Sequence, residues 1–316
     1  MATLESLRRI DDHPVYAMAY SGDYGFSEYL RTGVLRYPPL SGQTSTERLR
    51  WGCSCFAALA GEGGKWLGRN FDWTNRASLV LFTDSPDGYA SVSVVDPAML
   101  GYSAVPDLDD WEDRERLLAA PYFSLDGMNE KGMAIGMMAV PQAQAPRDAG
   151  KVTIGELQVI RLVLDYAENV DDAVRRIERV NVRMEQPPIH YLIADRNGRS
   201  AAVEFVDGSM RVIPNATSWQ VATNFILWGS EALTDPDLAA CGRYRLLSRE
   251  LQLVSGQITA GDAQRLLEKV SQVFTGGGTM WSAIYDLRQG ELRFAPGRKF
   301  DAWKTFRVPS FPKGDA

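Results

Sequence analysis

The chain has 316 residues, 45% hydrophobic and 23% charged, with no low-complexity tract or repeat, which is ample for a full core in one domain. A formal net charge of −6 without a concentrated basic segment excludes nucleic acid as an expected partner, because phosphate binding needs such a face. Three cysteines, Cys53, Cys55 and Cys241, are an odd number that argues against a disulfide framework, and without a histidine cluster they make a poor zinc site. The first residues lack the apolar core of a secretory signal and no run of about eighteen apolar residues follows, so the cytoplasm is the expected compartment and no membrane span is expected.

Residues 1–52 combine TLESLRRI, read as a short helix, with YSGDYGFSEYL and the polar SGQTSTERLR. This segment is expected to be a propeptide or N-terminal extension ahead of a body at 53–316. In WGCSCFAALAGEGGKWLGRNFDW, CSCFAALA suits a buried strand, GEGG supplies a reversal, and KWLGRNF reads as a second strand. The hairpin would bring Cys53, Arg69 and Asp72 together. A guanidinium beside a thiol favours the thiolate that attacks carbonyls, and Asp72 could orient the base that takes its proton. No histidine is placed to be that base: His13 lies in the leader, and His190, inside IHYLIAD, reads as structural. A cysteine freed at its own amino group can use that amine, of pKa about 8, and the small Gly52 precedes Cys53.

These residues resemble the N-terminal-nucleophile cysteine hydrolases that include bile salt hydrolase, penicillin V acylase, N-acylethanolamine acid amidase and isopenicillin N acyltransferase. There the nucleophilic cysteine, the arginine of a GRN-x-D motif and its aspartate show the spacing of Cys53, Arg69 and Asp72. The match selects Cys53 and not Cys55.

Further along, SLVLFTDS and GYASVSVVD read as strands that extend the sheet of the hairpin, and DLDDWEDRERLLAA reads as a helix. PYFSLDGMNEKGMAIGMMAV is expected to turn at Asp126-Gly127 and again at Asn129 to Gly132 before an apolar strand. DGMNEKG is typical of the bile salt hydrolase branch, but where that branch has an oxyanion asparagine this chain has Ala139. The resemblance therefore points to the broader linear-amide group. TIGELQVIRLVLDYAENV places Ile154, Leu157, Ile160, Leu164 and Ala167 on one helical face, with Glu156, Arg161 and Asp165 elsewhere, and NVDDAVRRIERV starts a second helix. IHYLIADRNGRSAAVEFV is a hairpin, MRVIP and WQVATN are strands, helices span 237–253 and 259–273, and TMWSAIYDL with ELRFAP closes as another hairpin.

This alternation indicates an α+β fold, and periodicity alone does not select among such folds. The resemblance implies a four-layer αββα sandwich of two antiparallel sheets, the Ntn-hydrolase architecture. It also implies that Asn224, in QVATNF, donates to the oxyanion, and that Arg243, with Arg245 as competitor, is a second active-site arginine. The implied reaction is hydrolysis of a linear carboxamide C–N bond of a small N-acyl substrate through a Cys53 thioester, without metal or cofactor. Two alternatives stay open: an acyltransferase that gives the same thioester to an amine, and an inactive binding protein on the same fold. The acyl pocket is expected among Trp73, Met137, Met138 and Trp228, and a homo-oligomer is left open.

Overall fold

The N-terminal stretch, read as a short helix and a polar leader, instead enters the main sheet. In the computed structural model, which describes residues 2–37, 52–61, 64–74, 77–102, 108, 114–185 and 187–309, helix α1 is confined to Ala2–Glu5. It is followed by β1 (Arg8–Asp11), β2 (Val15–Ser21) and α2 (Phe26–Thr32). The apolar VYAM of β2 is buried, as are Phe26 and Tyr29 of α2, so burial rather than local polarity decides the structure here. The stretch SGQTSTERLR lies outside the described residues.

The body continues with β3 (Gly52–Ala58), β4 (Trp66–Thr74), β5 (Ser78–Asp84), β6 (Ser91–Val95), β7 (Ser124–Asn129), β8 (Met133–Ala139) and β9 (Thr153–Gly155). After α3 (Glu156–Tyr166) and α4 (Val170–Ile177) come β10 (Asn181–Arg183), β11 (Ile189–Asp195), β12 (Ser200–Val206), β13 (Ser209–Pro214) and β14 (Trp219–Ala222). The chain ends with α5 (Gly242–Leu253), α6 (Ala260–Lys269), β15 (Val273–Phe274), β16 (Gly277–Asp286), β17 (Glu291–Pro296) and β18 (Lys304–Arg307).

A nine-stranded sheet runs β1-β2-β5-β6-β7-β8-β11-β12-β13, and a seven-stranded sheet runs β14-β3-β4-β16-β17-β18 with β15 on β16. All pairs in the two sheets are antiparallel except β2 with β5. β3 and β4 face β8 across the sheet interface, α3 and α4 cover the outer face of the larger sheet, and α5 and α6 cover that of the smaller one. The result is the expected αββα order of layers, with the apolar core between the sheets and under the helices. Among the described residues no helix is long and apolar enough to cross a membrane.

Four expectations are corrected. β5 and β6 do not extend the sheet of the β3/β4 hairpin but belong to the larger sheet, because β5 pairs with β2, a strand whose local sequence signal is weak. Asp126-Gly127 is not a turn: both residues are in β7, and the reversal comes at Gly132, in the left-handed region at φ 72°. Most of DLDDWEDR lies outside the described residues, and Glu115–Phe123 forms a 3₁₀ helix containing Pro121, which lacks the N–H an α-helix needs. Finally, α3 is buried nearly all round. Arg161 and Asp165 form an ion pair of 2.7 Å with neither side chain more than 2% exposed, and the Tyr24 hydroxyl donates to Asp165 at 2.6 Å. Two opposite charges four residues apart neutralise one another on a helix face, so their presence did not mark a solvated one.

Candidate active site

The β3/β4 register pairs Cys53 with Phe71, Cys55 with Arg69, and Gly52 with Asp72. Cross-strand partners share a face and neighbours alternate, so Arg69 and Asp72, three residues apart, project through opposite sides of the sheet. Arg69 points to the sheet interface, where it donates to the Leu125 carbonyl of β7 and lies 3.2 Å from the Asp126 carboxylate. Gly136 of β8 permits this approach: a Cβ there would stand 3.3 Å from both Arg69 Cδ and Cys55 Sγ. Asp72 points to the helix side. The three residues meet at Cys53 from two directions, Arg69 at its side chain and the Asp72 group at its backbone.

On the helix side Asp72 accepts from Thr279 Oγ1 at 2.6 Å and from Gln272 Nε2 at 2.5 Å, and Arg243 Nη1 lies 3.4 Å away. A bulge in β16 between Thr279 and Trp281 turns Thr279 onto the carboxylate. Arg243, near the start of α5, also donates to the Cys53 carbonyl at 2.5 Å and to Asn224 Oδ1 at 2.8 Å. Asn224 Oδ1 accepts the Cys53 backbone N–H at 2.7 Å, and Nδ2 donates to the Ala139 carbonyl at 2.9 Å. These partners fix the orientation of the carboxamide, with one N–H on Ala139 and, among the described residues, no partner for the second. Of the two candidate arginines, Arg243 is at the site, whereas Arg245 donates to the Ala239 carbonyl within the chain turn before α5.

Gly52 has no room for a side chain. A Cβ would fall 2.3 Å from Gln272 Nε2 and 3.3 Å from both Arg243 Nη2 and Asp72 Oδ2. Gly52→Ala should therefore push Gln272 off Asp72 and slow any reaction at the 52–53 bond by about tenfold or more while the fold persists. Intact mass against time after synthesis, with a thermal melt as control, checks this. If a reaction at that bond occurs and its rate is unchanged, Gln272 moves aside freely.

Cys53 is 2% exposed, with Arg69 Nη2 3.9 Å from Sγ. Burial pushes the Cys53 thiol above its ordinary range; Arg69 opposes this and Asp72 adds to it. The expected thiolate-favouring pull of Arg69 is present, but burial outweighs it. Asp126 pairs with the same guanidinium and is itself bonded by Trp281 Nε1 at 3.0 Å and by the Tyr285 hydroxyl. A protonated thiol needs a base. His13 sits beside Asp11 at the β1–β2 turn, and His190 is buried between Glu204 and Thr223, so neither is bonded to Cys53. The Asp72 carboxyl is also pushed up by burial, against Thr279, Arg243 and Gln272, which hold it down.

Cys53 opens onto a cavity of about 290 Å³ walled by Phe71, Trp73, Met99, Phe123, Leu125, Met137 and Ile189. Leu35, upstream of Cys53, is also in the wall, and Glu156, Arg183 and Glu185 add charged groups. Trp73 and Met137 are where the sequence placed an acyl pocket. Met138 is fully buried outside the cavity, and Trp228 is 44% exposed under Arg211, because alternate residues of a strand cannot share one face and Trp228 lies beyond the end of β14. Among the described residues no group of His, Cys, Asp and Glu is disposed to hold a metal ion.

Sequence reasoning missed Asp126, Gln272, Thr279 and Leu35. Only Asp126 carried a signal, a lone charge inside the apolar YFSLDGMN, and its neighbouring glycine suggested a turn instead. Gln272 and Thr279 lie 200 and 207 residues from Asp72; the β4–β16 pairing brings Thr279 to it, and Gln272 comes with Thr279, to whose Oγ1 its backbone N–H is bonded.

Residues 114–229 match the linear amide C-N hydrolases, choloylglycine hydrolase family. A penicillin V acylase of Pectobacterium atrosepticum is 29% identical over 111 residues, which is 31% of this chain and spans only 29% of that protein's length. Among solved structures, a variant of conjugated bile acid hydrolase from Clostridium perfringens superposes with a TM-score of 0.61 at 14% identity, covering 81% of this chain and 92% of that one. Penicillin V acylase from Agrobacterium tumefaciens gives 0.56 at 18%, covering 77% and 83%. At these identities the structural likeness is one of fold. Cys53, Arg69, Asp72 and Arg243 lie outside the matched 114–229, so their placement rests on the geometry above. By sequence through its middle third and by fold over most of its length, this chain is similar to the choloylglycine hydrolase family of linear amide C–N hydrolases.

Proposed function

We propose that the protein hydrolyses the C–N bond of a linear N-acyl amide through an acyl-thioester on Cys53, after the Gly52–Cys53 bond has opened. The observation that carries this reading is the position of Cys53: its thiol faces an apolar cavity, while its own backbone N–H and carbonyl are held by Asn224 and Arg243. A residue whose side chain serves the substrate and whose main chain is gripped by polar side chains suits a nucleophile that supplies its own base. Once free, the amine of Cys53 takes the thiol proton and sulfur attacks the amide carbon. The second N–H of Asn224 stabilises the oxyanion, the C–N bond breaks as the amine leaves with the proton, and water releases the acid. Asp72 and Asn224 Oδ1 are acceptors for the resulting ammonium. The cut divides the chain into 1–52 and 53–316, with β2 still paired to β5.

An electrophilic N-acyl amide analogue tests the reading: it should label Cys53 and leave Cys55 and Cys241 free, by peptide mass mapping. Burial pushes the Cys55 thiol far up, which makes it a poor competitor. Labelling at Cys55 or Cys241 alone would overturn the assignment.

The cavity wall suits an apolar acyl group, and Glu156 makes its binding pH-dependent. Burial pushes this carboxyl up to about 7, helped by Glu185 and opposed by the backbone N–H groups of Glu156 and Glu185. A raised carboxyl is neutral below its pKa and charged above it. KM for an apolar acyl amide should therefore rise several-fold as pH passes upward through about 7. In Glu156→Gln the rise should vanish; its persistence would assign it to another group.

A further inference from the structure

We infer that the buried His190–Glu204 pair is a positioning device for Asn224, a role that rests on the reading of Asn224 as oxyanion donor. His190 on β11 and Glu204 on β12 are both 0% exposed. His190 Nδ1 is 2.8 Å from Glu204 Oε1, and Nε2 is 2.7 Å from the carbonyl oxygen of Thr223, the residue before Asn224. A backbone carbonyl can only accept. The carboxylate also accepts from the Leu227 N–H at 2.9 and 3.1 Å and the Trp228 N–H at 2.8 Å. Each ring nitrogen thus faces an oxygen, and the ring ties the Thr223 carbonyl to the carboxylate.

The geometry makes a clamp. β14 ends at Ala222, whose partner is Cys55, and the chain then leaves the smaller sheet. The His190 ring, borne by the larger sheet, grips the carbonyl just before Asn224, and Glu204 grips the two N–H groups three and four residues after it. Asn224 is thus held in a segment tied at both ends to one hydrogen-bonded pair, and its side chain is left to bridge Cys53 N and Ala139 O. Oxyanion stabilisation depends on a donor already in place before charge develops, so a loosened segment loses rate rather than substrate binding.

The test is a double-mutant cycle with a spectroscopic readout. The chain has two histidines, so His13→Gln assigns the ring signals of 15N-histidine-labelled protein. Held at both ends, the His190 ring should show an N–H signal that exchanges slowly with solvent. His190→Gln and Glu204→Gln should each lower kcat about tenfold or more with KM within about twofold. In an Asn224→Ala background the same changes should add less than about threefold, because the donor they position is already gone. Equal fold losses in both backgrounds, or a His190 ring whose N–H exchanges as fast as that of an exposed histidine, would overturn the clamp. If both variants fail to fold, the ring signals of the unaltered protein decide. Inactivity of the unaltered protein on every amide would instead reject the functional reading, and the ring signals would still report on the clamp.

Discussion

Cys53→Ala should remain a single chain, continuous through Gly52, with amide hydrolysis reduced to the uncatalysed background. In the proposed scheme one thiol serves twice. It attacks the Gly52 carbonyl to free its own amine, and it then attacks substrate, so its removal blocks both steps and the combined loss should exceed about 10³-fold. The fold should survive, since exchanging a buried thiol for a methyl removes one atom from a packed strand at a cost of about 1 kcal/mol. Intact mass and N-terminal sequencing read the first step, and product formation the second. Cys53→Ser adds resolution, because a hydroxyl can support slow scission while being a poor nucleophile toward amides at neutral pH. Full activity from a chain that still runs unbroken from Met1 through Cys53 would remove the α-amine as base and leave Asp72 or a water in that role.

The second large effect is expected at Asn224. Loss of one oxyanion donor costs about 3 kcal/mol of transition-state stabilisation, so Asn224→Ala should lower kcat about 10²–10³-fold with KM little changed. The alanine variant also strips an acceptor from the Cys53 N–H and a partner from Arg243. Asn224→Asp separates these roles: it keeps an acceptor for both and removes both amide hydrogens. Scission should survive in the aspartate variant while hydrolysis is lost, as its negative charge repels the developing oxyanion. Hydrolysis at the unaltered rate in Asn224→Asp would show that the donor is elsewhere.

What could be read from the sequence was local. The β3/β4 hairpin was legible because two apolar runs flank GEGG, and the end of β14 because WQVATN alternates and then stops. What could not be read depended on distant pairing. β2 looked like part of a leader because its strand signal is brief and surrounded by polar residues, and its burial comes from β5, more than fifty residues on. For the same reason β5 and β6 were given to the wrong sheet. At Asp126 the Asp-Gly pair is a local turn signal, yet a carboxylate bonded by Arg69, Trp281 and Tyr285 is stable inside a strand. His190 read as structural on its apolar surroundings, and nothing nearby in sequence announced its contact with Thr223, thirty-three residues away.

The burial of β2 beside β5, with Tyr24 bonded to Asp165 and Leu35 in the cavity wall, bears on what the molecule would become if the proposed opening of the Gly52–Cys53 bond occurs. The upstream piece would be a subunit held by a sheet edge, a buried hydroxyl and apolar packing rather than a discarded fragment. Unfolding would then change from a unimolecular to a dissociative process. The melting midpoint of the cut form should climb with protein concentration, whereas that of the uncut chain should not, and dilution alone could empty part of the acyl cavity wall.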